Sequence, residues 1–423
     1  MKDKVDNIKR FLNENFILLS NFSYLSLLHI VTLLIPLLTY PYLIRVLGKD
    51  LYGLVIFTQV IAGYFTIFIS FGFSMFGAKE VSIHRDNKKK LSEILINISF
   101  IKSIFLLISF IVLLMYLLYT SSEHKSLYAL AFWVCLLDVI FPAWFFQGIE
   151  KMKFITFTSL FARGIFVLFI FVLVKGQADI LWLPISNMIG TIVSGIISFY
   201  LIKKEGIKFV LPNLSIIKGY IKRSYHFFLS NVLIQIYANS NKAIIGVFLG
   251  MGAVAYYDLA EKIVSLIRIP QGILSQTVFP RISMTKNTIF IKKIFNISIW
   301  LNVGLYIVLF FTANNAVLLL GGEEMLQAVS IVKILGLLAP IVAISNVMGI
   351  LTLIPFGFNK LFTKMIGISV ISYLLIFITL WMLNIVSVHS LSIANVLVEV
   401  IVSIISVYFV YKSNLIWKKN MIA

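Results

Sequence analysis

Six cations stand inside long apolar runs of this chain, where charge is rare: Lys102, Arg163, Lys242, Lys262, Arg268 and Lys333. A charged side chain at the centre of a bilayer costs about 2.5–3.5 kcal/mol on insertion scales, so it faces a partner or a wet cavity. At ~1.5 Å per residue, Arg163 and Arg268 lie roughly 10–20 Å inside their helices. Lys102 and Lys333 stand nearer an end, and their stems could carry the ammonium to the interface. Acids are scarcer. Asp138 falls near the middle of the fourth run and Glu399 near the middle of the last, with Asp258 and Glu261 in the first turns of the eighth. A short turn joins the helix of Lys242 to that of Asp258 and Glu261, so an ion pair is expected there; it serves either function or the fixing of a hairpin. Arg268 sits two residues before Pro270, which bends a helix, and a bent helix carrying a buried Arg suits a binding site. Asn231, Gln235, Asn239 and Asn241 form a polar run on the seventh helix, as Asn21 and His29 do on the first. Such residues line a cavity or bond helix to helix.

The elements that position them follow from composition. Of 423 residues 60% are apolar and 13% charged, against roughly 25% charged in a soluble domain. A hydrocarbon core ~30 Å thick takes about 20 apolar residues per helix. Twelve spans are expected: 16–40, 53–77, 94–119, 127–148, 155–174, 180–202, 226–249, 254–280, 289–320, 326–352, 363–383 and 389–411. The fold class is therefore an all-α polytopic membrane protein. Cations crowd every second loop: Met1–Asn15, Lys79–Glu93, Glu150–Phe154, Lys203–Tyr225, Arg281–Lys293, Asn359–Lys364 and the tail from Lys412. The intervening loops hold only Arg45, Lys49, Lys125 and Lys175. Loops rich in Lys and Arg stay in the cytoplasm, which puts both termini there. The net charge of +19 reads as this orientation beside an anionic leaflet. It does not read as nucleic-acid binding, since no soluble basic domain exists to carry it.

The halves echo each other. Arg45-Val-Leu-Gly48 closes the first helix and Tyr52-Gly53 opens the second; Phe248-Leu-Gly250 closes the seventh and Tyr256-Tyr257 opens the eighth. Two parallel repeats about an axis along the membrane normal give this pattern. The expected organisation is an N-terminal six-helix lobe at 1–202, a cytoplasmic linker at 203–225 and a C-terminal lobe and tail at 226–423.

Catalytic signatures are missing. There is no G-x-x-x-x-G-K-[ST], no H-E-x-x-H and no paired Cys spacing; a lone Cys135 sits in an apolar run and the five His are scattered. Short outer loops leave no room for a soluble catalytic domain. Neither an enzyme activity, a cofactor nor a metal is expected.

Several stretches resemble the Wzx family, the O-antigen and polysaccharide-repeat flippases of the multidrug/oligosaccharidyl-lipid/polysaccharide (MOP) exporter superfamily. They are Tyr40-Pro-Tyr-Leu-Ile-Arg-Val-Leu-Gly48 with Tyr52-Gly53, and Phe141-Pro-Ala-Trp-Phe-Phe-Gln-Gly-Ile-Glu-Lys-Met152. Tyr256-Tyr-Asp-Leu-Ala-Glu-Lys262 and Phe279-Pro-Arg281 follow in order. The resemblance implies two six-helix lobes working by alternating access in the inner membrane. It implies an undecaprenyl-pyrophosphate-linked oligosaccharide as cargo, turned from the cytoplasmic to the periplasmic leaflet. Membrane lipids, a polysaccharide polymerase and a chain-length regulator are the partners that go with it. On that reading Arg163, Lys242 and Arg268 host the pyrophosphate, since a cationic wet cavity replaces water around the anion and Arg matches phosphate oxygens. Asn231, Gln235, Asn239, Tyr237 and Trp144 are expected to contact sugars. Asp138, Glu261 or Glu399 is expected to carry a coupling proton. The rival readings are a cation-coupled multidrug exporter of the same superfamily and a membrane polysaccharide polymerase.

Overall fold

The computed structural model describes residues 16–120 and 123–416, and all regular structure among them is helical. α1 (Phe16–Ser70) runs through the first two expected spans and breaks only at Gly48, with φ 76° and ψ 166°. Pro36 and Pro41 lie inside it, so the helix passes the end expected at residue 40. In an apolar setting neighbouring helices and local adjustments re-satisfy the backbone groups that a Pro frees. α2 (Phe73–Ile83) starts after Phe71 and Gly72, both at positive φ. α3 (Lys88–Tyr119) is capped by Asn87, whose side chain accepts from the Lys90 amide. The expected span 127–148 is three short helices: α4 (Lys125–Ala131), α5 (Val134–Ile140) and α6 (Ala143–Gly148). Pro142 explains the last break, because its ring and missing N–H end the preceding turn. α7 (Met152–Leu173) and α8 (Trp182–Lys204) follow.

α9 (Leu214–Phe248) and α10 (Met251–Thr285) are each 35 residues long. α11 (Thr288–Gly321) starts on an Asn287 cap. α12 (Ala328–Gly336) and α13 (Leu338–Ser345) lead into a π-helical segment, Asn346–Leu353, in which the Thr352 hydroxyl donates to the Val347 carbonyl at 2.8 Å. α14 (Asn359–Met382) and α15 (Val388–Lys412), the latter capped by Ser387, complete the order.

Nine runs among the described residues are long and apolar enough to cross a membrane, and Ser23–Ile83 among them holds two of the expected spans. α9 and α10 do not qualify by composition. Lys218, Lys222, Arg223 and the Asn/Gln run dilute the first; Asp258, Glu261, Lys262 and Arg268 dilute the second. Large apolar side chains such as Leu107, Leu118 and Phe311 stand exposed on the outside of their helices, as lipid contact requires.

The chain forms two compact units. Unit 1 runs to Tyr42 and resumes at Thr58–Val232; unit 2 takes Leu43–Phe57 and everything from Leu233. The core of unit 1 is aromatic, with Phe73, Trp144, Phe145 and Phe146 packed on Ile94 and Ile98. Unit 2 centres on Val347, Met348 and Leu351 against Ile282 and Val398.

Candidate functional site

The densest cluster of charge inside the apolar part of unit 2 forms where α9 meets the start of α10. Lys242 Nζ lies 2.8 Å from Asp258 Oδ1 and 2.5 Å from Glu261 Oε2. Lys262 Nζ is 3.6 Å from Asp258 Oδ2. Tyr52, from the Leu43–Phe57 segment, donates its hydroxyl to the same Oδ2 at 2.9 Å. Asp258 is 1% exposed and Lys242 9%, whereas the Glu261 side chain is 38% exposed. Two ammonium groups and two carboxylates offset each other, which is the condition for keeping charges out of water.

A neutral layer adjoins it. Asn241 donates to the Tyr257 hydroxyl at 2.8 Å, and Asn241 Oδ1 accepts from Tyr373 at 2.5 Å. Asn395 Nδ2 donates to the same Tyr257 oxygen at 3.3 Å. Helical spacing builds both layers: Asn241 and Lys242 are neighbours on α9, and Tyr257, Asp258 and Glu261 share one turn of α10. Polar groups buried at this depth persist only when they are paired.

From the cluster a polar stripe continues along α10. Ser265, Arg268, Gly272 and Gln276 are all exposed and follow Glu261 at steps of four, three, four and four residues, one face of a helix. No ion pair among the described residues involves Arg268 or Arg163. Arg163 is half-buried on α7 in unit 1.

The other residues singled out by sequence fall as follows. On α9, Asn239 Nδ2 donates to Gln235 Oε1 at 3.0 Å; Gln235 is exposed and Asn231 half-buried. The Tyr237 side chain lies outside the described residues. Trp144 is 4% exposed, and a side chain at Gly77 would collide with its indole, so it packs in the core of unit 1. Asp138 receives Lys102 Nζ at 2.8 Å, and the same ammonium donates to the Asp138 carbonyl at 3.2 Å. Lys102 is 1% exposed, so it does not extend to the interface. Glu399 is half-buried on α15 and His29 exposed on α1. The sequence marks Tyr52 and Tyr257 only as parts of helix-opening motifs and does not single out Tyr373 or Asn395. The signal for Tyr257 was available, since it directly precedes Asp258.

The family model described as "Polysaccharide biosynthesis protein" matches residues 18–286. The chain belongs to that family. An Escherichia coli (strain K12) protein provisionally named O-antigen transporter is 28% identical to this chain over 367 residues. The alignment covers 84% of this chain and 88% of that one. A Shigella dysenteriae protein with the same provisional name is 26% identical over 371 residues, covering 84% and 91%. The fold is similar to the lipid II flippase MurJ in an inward closed conformation, with TM-score 0.71 at 16% identity over 91% of this chain and 87% of that one. It is also similar to an inward-facing multidrug resistance MATE family transporter of the MOP superfamily, with TM-score 0.65 at 13% identity over 92% and 100%. The resemblance read from the motifs is thus borne out, and the fold is similar to those of the MurJ and MATE structures. With its apolar membrane-crossing runs the chain is a multi-pass membrane protein, and its sequence relatives carry the names of transporters.

Proposed function

We propose that the protein flips undecaprenyl-pyrophosphate-linked O-antigen or polysaccharide repeat units from the cytoplasmic to the periplasmic leaflet by alternating access. Twelve spans in two six-helix lobes, 1–202 and 226–423, joined by the 203–225 linker with both termini cytoplasmic, are the frame of the proposal. Counting Ser23–Ile83 as two spans and adding the polar α9 and α10 to the nine apolar runs supports that number.

One observation carries the reading. Arg163 lies in an apolar run long enough to cross a membrane and Arg268 on the more polar α10, and neither has a carboxylate partner among the described residues. A guanidinium stays charged and presents a fork that fits phosphate oxygens, so an unpaired Arg at this depth suits a transient anionic guest. Lys242 differs, because Asp258 and Glu261 already neutralise it, and the pyrophosphate role passes to the two Arg. Gln235, Asn239 and Asn231 remain the sugar contacts we propose on α9, while the packed Trp144 leaves that set. Glu261, the most exposed carboxylate of the ion cluster, is the proposed coupling group; Asp138 is held by Lys102 and Glu399 is an alternative. A polysaccharide polymerase and a chain-length regulator are the proposed downstream partners.

The test replaces Arg163 and Arg268 by Ala, singly and together, and follows surface polysaccharide at matched membrane abundance. Loss of surface glycan, and of labelled lipid-linked glycan translocation in vesicles, is expected. Normal glycan in the double variant at wild-type abundance overturns the cationic mechanism. A deletion strain that loses drug resistance but keeps its surface glycan favours the exporter reading instead.

A further inference from the structure

Four turns of unit 2 meet at one end of its helices and line an open cavity of about 530 Å³. They are the Gly48 break with Lys49 and Asp50, the turn at residues 249–253, Gln327 before α12, and Ser387–His389 at the start of α15. These turns belong to the loops poor in Lys and Arg, which is the extracytoplasmic set. The volume falls within the ~300–1,000 Å³ of small-molecule pockets. Gly250 keeps the rim bare, since its φ of +92° favours a residue without Cβ.

The wall has both signs of charge and both kinds of hydrogen-bonding group. Lys49 offers an ammonium and stands 5.7 Å from the centroid of the Tyr256 ring. Asp50 offers only acceptors, and Gln327 offers an amide with both. Ser330 Oγ donates to the Gln327 carbonyl at 3.2 Å, so His389 donates to that oxygen through Nε2 at 2.7 Å, which holds the ring and makes Nδ1 an acceptor. Tyr256 and Ile331 supply apolar surface beneath these groups. Adjacent Lys49 and Asp50 offset each other, so neither a bare anion nor a bare cation is favoured. Most of the wall is apolar, with these polar groups set among it. What it fits is a ligand whose groups both donate and accept, set on a ring with apolar C–H faces.

We propose that this cavity is an extracytoplasmic saccharide subsite that receives roughly one or two sugar rings of the cargo as it leaves the transporter. The proposal rests on the flippase reading above and names where the glycan goes after translocation. Asp50 and His389 Nδ1 accept from sugar hydroxyls, while Lys49 and Gln327 donate to them. None of these four belongs to the Lys242–Asp258–Glu261 cluster or carries Arg163 or Arg268, so the subsite can fail without touching the cationic mechanism.

The experiment uses the full-length protein in lipid nanodiscs. Its probe is the repeat oligosaccharide freed by mild acid from the host's own lipid-linked precursor. Gln327→Trp fills the cavity and Asp50→Ala removes the acceptor; Asp50→Asn and His389→Gln are milder versions for use where the first pair lowers membrane abundance. Wild-type protein is expected to bind the probe, and each variant to bind it about tenfold more weakly or worse, the loss of one or more hydrogen bonds to charged groups. Absence of probe binding by the wild-type protein overturns the subsite, and so does undiminished binding by abundant variants. The two readings separate in the deletion strain. If deletion abolishes surface glycan while the variants bind normally, the subsite alone falls. Normal surface glycan after deletion removes the flippase reading itself.

Discussion

Breaking the buried ion cluster should cost stability in an order set by burial. At 2.8 Å, and with an effective dielectric constant of about 20, the Lys242–Asp258 attraction is ~6 kcal/mol gross. Glu261 sits 2.5 Å from the same ammonium and keeps part of that attraction when Asp258 is neutralised. Asp258→Asn is therefore expected to destabilise by about 3 kcal/mol, the low end of what removing one partner from a buried pair costs. Lys242→Met should cost more, about 5 kcal/mol, because it leaves two carboxylates without the cation between them. Glu261→Gln should cost no more than about 1 kcal/mol, since its side chain is 38% exposed and solvent screens it. The double variant Lys242→Met with Asp258→Asn should be milder than the sum of its parts by about 1–3 kcal/mol. Thermal unfolding of purified protein followed by size-exclusion fluorescence reads all four. If Glu261→Gln is as damaging as Asp258→Asn, or if the double variant is additive, the reasoning from burial and shared partners is wrong.

Other outcomes follow from single contacts. A Cβ at Gly53 would overlap the Met251 carbonyl, so Gly53→Ala should sharply lower membrane abundance, whereas Gly63→Ala, which meets nothing nearby, should not. Lys102→Met should destabilise by about 3 kcal/mol and Lys102→Met with Asp138→Asn by less, measured by the same unfolding assay; equal losses would contradict a neutralising pair. Asn302 donates to Gln271 Oε1 at 2.9 Å from a fully buried position. Asn302→Leu should cost about 1–3 kcal/mol by orphaning that oxygen, and restoration by Gln271→Leu in the double variant would confirm the link. Trp144→Phe should leave glycan export intact at matched abundance, because the indole fills core space; a selective export defect would return it to the sugar contacts.

Membrane class and the short turns between helices were legible because they depend on the length of apolar runs and on what interrupts them. The Lys242 pairing was also legible, since a short turn forces α9 and α10 together whatever the rest of the chain does. Contacts across long separations were not. Nothing local in Tyr52 points to Asp258, 206 positions away, and nothing in Lys102 points to Asp138 on a different helix. Sequence places a residue at a depth in the membrane, but the rotation of each helix about its axis is decided by packing against distant neighbours. Trp144 shows the same limit: its close packing on Gly77 inside the core of unit 1 could not be read from its neighbours in the chain. The end expected at residue 40 fell short for another reason, since the helix runs on through Pro36 and Pro41, whose freed backbone groups are re-satisfied in an apolar setting.

The membership of Leu43–Phe57 in unit 2 bears on how the protein is made. Tyr52 and Gly53 leave the ribosome about two hundred residues before Asp258 and Met251, the groups they seat against. The tip of the first hairpin must therefore wait in the membrane, unsatisfied, until the seventh and eighth helices are inserted. Maturation cannot proceed as one finished half followed by the other, and a C-terminal half synthesised alone would lack the hydroxyl that anchors its most deeply sequestered acid.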